Sequence, residues 1–155
     1  MLNLEDSQLI GKGEDRECYQ HPKDYNKCVK VTVSGDYKQS NDEIKFYRLM
    51  KKRKASCEQL AAFHGLAETS LGQGLVYTLI RDYDGKVSDS LGNYLSSEVY
   101  SLSDFKEQLD TLNRYLYDER LIIRDLSPDN VVYQKTSEDD GKLIIIDGVG
   151  NNEFI

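Results

Sequence analysis

Polar and apolar residues alternate through SQLIGKGEDRECYQHPKDYNKCVKVTV, residues 7 to 33, and Gly11, Gly13 and the turn-like HPKDYN interrupt the alternation. Successive strand side chains point to opposite faces, so this period of two predicts three short antiparallel strands. The period then changes. In DYKQSNDEIKFYRLMKKRK, residues 36 to 54, Glu43, Tyr47 and Met50 fall at i, i+4 and i+7, one stripe of a helix. GLAETSLGQGLVYTLIRDYDG, residues 65 to 85, predicts two more strands around a turn at Gly72 to Gly74.

Beyond Gly85 the texture is different. SLSDFKEQLDTLNRYLYDERL places Phe105, Leu109, Leu112 and Leu116 at spacings of 4, 3 and 4, with Ser103 as N-cap, which predicts a long helix. LIIRDLSPDNVVY follows, two apolar β-branched runs enclosing Arg124, Asp125, Asp129 and Asn130. NVVYQKTSEDDGKLIIIDGVG then reads as a hairpin with a solvated acidic tip, its second run stopping at Asp147. The expected fold class is α+β, one domain over residues 1–155, with a five-stranded antiparallel lobe plus helix over 1–84 and a reduced helical lobe over 85–155.

Composition fits a soluble globular chain. With 155 residues, 39% hydrophobic and 30% charged, it is long enough for an ordinary core without covalent staples. No apolar run approaches the ~20 residues of a membrane span, and MLNLEDSQLI lacks the basic and apolar regions of a signal peptide, so a cytoplasmic location is expected. Cys18, Cys28 and Cys57 have neither disulfide nor metal spacing and are expected to be free thiols. A net charge of −7 argues against nucleic acid as a partner. KKRK, residues 51 to 54, reads as a solvated last helical turn complementing the helix dipole, or as a docking patch for an acidic partner.

The chemistry lies in the polar loop and the strands upstream. Asp125, Asn130 and Asp147 would bring two carboxylates and an amide oxygen to one end of a hairpin, hard ligands suited to Mg²⁺ with substrate phosphates. Gly11 and Gly13 allow backbone to approach phosphates. Lys30 in CVKVTV would carry a cation to them from a rigid strand, with Glu43 as its natural partner because a buried lysine is costly alone. Each residue also has a plainer reading. Glu43 could complete a capping box, SNDE, with Ser40 as the cap. Lys30 could guard a sheet edge, and Asp125 and Asn130 could bond their own loop backbone. His21 and His64 read as structural.

LIGKGEDREC, CVKV, the helix glutamate, RDLSPDN and IDGVG occur in the order of the protein-kinase signature motifs. More narrowly, GKGEDRECYQHPKDYNKCVKV, EIKFYRLM, FHG and DYDGK resemble the YrbL family, kinase-like proteins associated with the bacterial PhoP regulatory network. The resemblance covers nearly the whole chain and implies a minimal protein-kinase-like fold that uses ATP and Mg²⁺. It implies that Asp125 accepts the substrate hydroxyl proton and that Asn130 and Asp147 hold the metal. Lys30, paired with Glu43, would hold the α- and β-phosphates under Gly11 and Gly13. It also places Cys18 and Cys28 above the adenine, and LIRDYDG, residues 79 to 85, as the hinge.

Several positions depart from the kinase pattern. Ile123 replaces a histidine, Ser127 the loop lysine, and Arg16 a third glycine, and no phenylalanine follows Asp147. Eight residues follow Asp147 in this sequence, where kinases of ordinary size continue with peptide-binding helices. An exposed face left by such a reduced lobe would favour a homodimer or another partner. The expected function is therefore ATP- and Mg²⁺-dependent phosphotransfer to a protein or small-molecule acceptor. A nucleotide-binding pseudokinase acting as a regulatory module is the second reading. A sugar- or aminoglycoside-type kinase is the third, set back by Arg124 where those enzymes often have glycine.

Overall fold

The computed structural model describes residues 1–123, 125–149 and 153–154. The fold is α+β, and the chain divides into two units: Met1–Asp42 with Ala62–Leu79, and Glu43–Ala61 with Ile80–Ile155.

The first unit is a five-stranded antiparallel sheet. Strands β1 (Leu9–Lys12), β2 (Arg16–Gln20), β3 (Lys27–Thr32), β4 (Phe63–Thr69) and β5 (Gly72–Thr78) lie in the order β1-β2-β3-β5-β4. Alternation sorts the β3 side chains onto two faces. Val29 and Val31 join Val76 and Leu4 in a buried apolar cluster, flanked by Leu2, Tyr19 and Ala67. The N-terminal segment is tied across this cluster: the Leu2 amide donates to the Glu68 carbonyl, the Ser70 amide to the Leu2 carbonyl, and the Leu4 amide to Ser70 Oγ. The turn between β4 and β5 falls at residues 69 to 72, earlier than the glycines suggested. Thr69 Oγ1 accepts from the Leu71 amide and donates to the Gly72 carbonyl, and Gly72 supplies the positive φ of +103°. Gly74 is strand instead, and a Cβ there would lie 2.5 Å from Val29 Cγ1.

Helix α1 (Lys38–Arg53) begins in the first unit and continues in the second. The capping-box reading of SNDE is wrong. Ser40 is the third helical residue, its hydroxyl bonds the Thr32 hydroxyl at 3.1 Å, and the helix opens from Asp36, whose Oδ1 accepts from the Lys38 amide. Glu43, Phe46, Tyr47 and Met50 are buried, as the stripe predicted, with Phe46 added. Lys51, Lys52 and Arg53 are exposed in the last turn beside the orphan carbonyls, where positive charge is favourable.

The second unit contains β6 (Asp89–Ser90), α2 (Leu91–Ser96), α3 (Lys106–Asp118), β7 (Leu121–Ile122), β8 (Val131–Lys135), β9 (Gly141–Ile145) and β10 (Glu153–Phe154). The β8–β9 hairpin pairs as its pattern predicts, while the addition of β6 beside β8, and of β10 beside β7, was not anticipated. The long helix starts later than Ser103. A 3₁₀ turn (Leu102–Phe105) precedes it, and the capping box belongs to Ser101 and Asp104, whose carboxylate accepts from the Ser101 amide at 2.8 Å. Phe105 and Leu112 of the predicted stripe are buried and Leu109 and Leu116 half-buried, while Tyr115, which the stripe did not include, is buried as well. Leu60 bridges to Ile145, with the Ala61 amide donating to the Ile145 carbonyl and the Ile145 amide to the Gln59 carbonyl. Tyr94, Tyr100, Phe105 and Tyr133 form an aromatic cluster in which Tyr94 meets the other three rings, and Phe105 meets Tyr133, edge to face, while Tyr100 and Phe105 are tilted. Among the described residues no helix is long and apolar enough to cross a membrane.

Candidate functional site

In the first unit Lys30 sits on β3, the central strand, and is 8% exposed. The edge-guard reading is thereby excluded, since such lysines stand at a sheet's border in water. Its Nζ lies 4.6 Å from the centre of the Tyr77 ring, a cation–π contact that stabilises a desolvated ammonium. Cys18 pairs directly with Lys30 across β2 and β3, and Cys28 pairs with Tyr77 across β3 and β5. All three cysteines are free thiols. The Cys28 proton is held by a hydrogen bond with Cys18 and then by burial, so its acidity is strongly suppressed.

Gly11 faces Cys18 across β1 and β2, next to a register shift between Leu9 and Gly11. A Cβ on Gly11 would meet nothing within 4 Å, and one on Gly13 only the Arg16 carbonyl oxygen at 3.5 Å. Neither has a left-handed φ. No steric or backbone demand within the described chain calls for glycine at either position. The Gly13 amide donates to the Arg16 carbonyl, and Arg16, standing where a third glycine was expected, is buried.

In the second unit the loop after β7 is organised by short-range bonds. Pro128 opens a 3₁₀ turn (Pro128–Asn130), where its fixed φ is pre-set for the first helical position. The Asn130 amide nitrogen donates to the Ser127 carbonyl, and the Asn130 side-chain Nδ2 donates to the Asp125 carbonyl at 3.0 Å. The reading of Asn130 as a residue that bonds its own loop is thus correct for Nδ2, and it leaves Oδ1 as the side-chain acceptor. The strand after the hairpin returns to this loop: the Ile146 amide donates to the Asn130 carbonyl at 2.9 Å. Asp147 Oδ1 accepts from the Gly148 amide. Gly148, at φ +81°, has no room for a side chain, because a Cβ would collide with the Asp125 carbonyl oxygen and lie 2.8 Å from Asn130 Nδ2. Asp125, Asn130 and Asp147–Gly148 are therefore joined at one end of the β8–β9 hairpin.

Glu43 is buried in the same unit, 1% exposed. One turn along α1, Tyr47 donates to the Ala61 carbonyl at 2.8 Å. Burial holds the Tyr47 phenol proton well above its usual range, and the charges of Glu43 and Asp147 add to the effect. The α1 glutamate and the hairpin aspartate thus act on one phenol. Pattern reasoning assigned Tyr47 only to a stripe and Tyr77 only to a strand; no sequence signal distinguished either from ordinary core. It named Asp129 among the loop's polar residues but not its contact, Oδ1 lying against Gly92 where a Cβ would be. Of the predicted residues, Gly11, Gly13, Cys18, Cys28 and Lys30 belong to the first unit, and Glu43, Asp125, Asn130 and Asp147 to the second. Arg124 lies outside the described residues. His64 bonds the Thr78 hydroxyl at 2.7 Å and His21 accepts from the Lys23 amide, both structural roles. Among the described residues no three His, Cys, Asp or Glu side chains gather as a metal cage.

A family model described as PhoP regulatory network protein YrbL matches residues 2–155. The chain is similar to two curated proteins described as uncharacterized YrbL, from Escherichia coli (strain K12) and Shigella flexneri. Each is 31% identical over 160 residues, an alignment covering 100% of this chain and 76% of the relative. On the match along almost its full length, the chain belongs to the YrbL family of PhoP regulatory network proteins.

Proposed function

We propose that this chain has a minimal protein-kinase-like fold and is an ATP- and Mg²⁺-dependent phosphotransferase, with Asp125 as the catalytic base. The observation that carries the reading is the junction of Asp125, Asn130 and Asp147–Gly148. The order of these residues matches the kinase catalytic loop and metal aspartate, and the bonding between them has a purpose a loose surface loop lacks. The donor chemistry fits Mg²⁺: Asn130 Oδ1 and the Asp147 carboxylate are hard oxygens, and this cation is usually held by one or two carboxylates plus phosphates and water. When bound it would neutralise charge on the phosphates. Lys30, buried and cationic, would hold the α- and β-phosphates, and Glu43 would complement its charge. Gly11 and Gly13, with no internal reason to be glycine, would let backbone amides approach the phosphates.

The chain's own residues then have defined tasks. Asp125 would orient and deprotonate an acceptor hydroxyl, with its backbone held by Asn130 Nδ2. Asn130 and Asp147 would position the phosphates for in-line attack. The test is titration with Mg-ATP followed by phosphotransfer to a panel of protein and sugar acceptors. Binding with turnover, together with loss of about 10²–10⁴-fold turnover in Asp125→Ala at preserved ATP affinity, is the expected result. Unchanged turnover in that variant would overturn it.

A second reading, a nucleotide-binding regulatory module without turnover, is favoured by Ser127. It stands where the loop lysine is expected, so that this position brings no cation to a transferring phosphate. Mg-ATP binding with no transfer to any acceptor would select it.

A further inference from the structure

Cys18 and Cys28 stand on one face of the first unit's sheet, on the adjacent strands β2 and β3. The register sets Cys18 opposite Lys30 and Cys28 opposite Gln20, so the thiols are diagonal neighbours, and they are hydrogen-bonded to each other. Lys30 lies close enough for its charge to favour the Cys28 thiolate. Cys28 is buried while Cys18 is partly exposed, which gives solutes a way to the pair through Cys18.

Two sulfurs beside an ammonium form a distinctive donor set. Thiolate is a soft ligand and selects soft cations such as Cu(I). A monovalent d¹⁰ cation is satisfied by two sulfurs in a line, and the resulting bis-thiolate complex carries one negative charge, which Lys30 offsets. Zinc is a poorer match because it wants four ligands. A disulfide is disfavoured too. Diagonal positions on antiparallel strands are about 7–8 Å apart at Cα, beyond the ~4.4–6.8 Å that a disulfide normally spans. A cation placed between the sulfurs lengthens the link.

We propose that Cys18 and Cys28 form a binding site for one soft monovalent cation, with Cu(I) as the representative. On binding, both S–H bonds break, two S–Cu bonds form, two protons leave to solvent, and no electron is transferred. The site uses only residues of the first unit; because the nucleotide reading also draws on Lys30 and on both cysteines, cation binding is tested without nucleotide, where its failure and the failure of that reading are distinguishable.

The test delivers Cu(I) anaerobically from its bicinchoninate complex to the full chain, without nucleotide, and follows loss of the chelator's colour. One equivalent should transfer, with affinity rising about a hundredfold per pH unit near neutrality because two protons are released. Cys18→Ala, a change at a partly exposed position, should abolish the transfer, and Cys57→Ala should leave it intact. Cys28→Val, checked by circular dichroism, should behave as Cys18→Ala does. In the unmodified chain, one equivalent of Cu(I) should protect Cys18 from maleimide and leave Cys57 reactive, a result that needs no variant to fold. Full transfer to Cys18→Ala, a rise of only about tenfold per pH unit, or protection confined to Cys57 would each overturn the proposal.

Discussion

Asn130 Nδ2 donates to the backbone carbonyl of Asp125 at 3.0 Å, so the proposed metal ligand also fixes the backbone of the proposed base. Both tasks need a side chain that donates at one atom and accepts at the other, which an amide does and a carboxylate does not. Asn130→Asp keeps the size and an oxygen ligand but turns an acceptor toward a carbonyl. Urea unfolding should show a loss of about 1 kcal/mol, and Mg-ATP affinity should fall. An unchanged midpoint would show that the bond contributes nothing to the loop.

Gly148 and Gly11 make a matched pair of tests. Gly148→Ala places a methyl group against the Asp125 carbonyl oxygen at a left-handed φ, and should cost about 1–3 kcal/mol in denaturant titration.

Gly11→Ala meets open space, and its stability should stay within about 0.5 kcal/mol of the parent. Its Mg-ATP affinity, measured by calorimetry, should nonetheless drop. Full affinity in this variant would mean that no phosphate comes near the glycine.

Lys30→Met and Asp147→Ala separate binding from chemistry. Methionine preserves the apolar stem of Lys30 beside Tyr77 but removes the charge, so the fold should persist while ATP affinity falls. Asp147→Ala should weaken Mg²⁺-dependent ATP binding more than metal-free binding. Equal effects in the presence of Mg²⁺ and of EDTA would remove Asp147 from the metal.

Stability should decline on the alkaline side. The Cys28 thiol is held protonated by Cys18 and by burial, and the Tyr47 and Tyr115 phenols by burial. Each folded-state pKa lies above its unfolded value, so above the latter the unfolded chain binds fewer protons and stability falls with rising pH. The fall should begin near pH ~8.5 for the thiol and steepen above ~10 for the phenols. Urea midpoints measured between neutral and alkaline pH should show it, and Cys28→Val should shrink the first part, leaving the share of Cys57, whose thiol is also pushed up by burial.

Much of the fold was legible because period-two and helical stripes survive in short range: β1 to β3, α1 and the β8–β9 hairpin all lie where the alternation put them. The misses have physical causes. Gly72 and Gly74 look alike in sequence, yet one supplies a positive φ and the other a close approach to Val29. Ser101 and Ser103 are both competent caps, and only the Asp104 carboxylate reaching the Ser101 amide decides between them. The two-residue strands β6 and β10 are too short to have a period. The loop motif marked Asp125, Asn130 and Asp147 for one cluster, but other contacts of the loop, such as Asp129 against Gly92, depend on chain crossings no local pattern encodes.

The strand order has a consequence for how the molecule is made. β3 and β5 are hydrogen-bonded neighbours, yet Glu43–Ala61, which belongs to the other unit, is threaded between them in sequence. Closing that loop costs entropy before the pairing repays it. On a ribosome the sheet must wait for β5 to emerge, and no single cut of the chain yields two separable halves: any fragment that includes the whole sheet also carries the aligned face of the helix, Glu43 included.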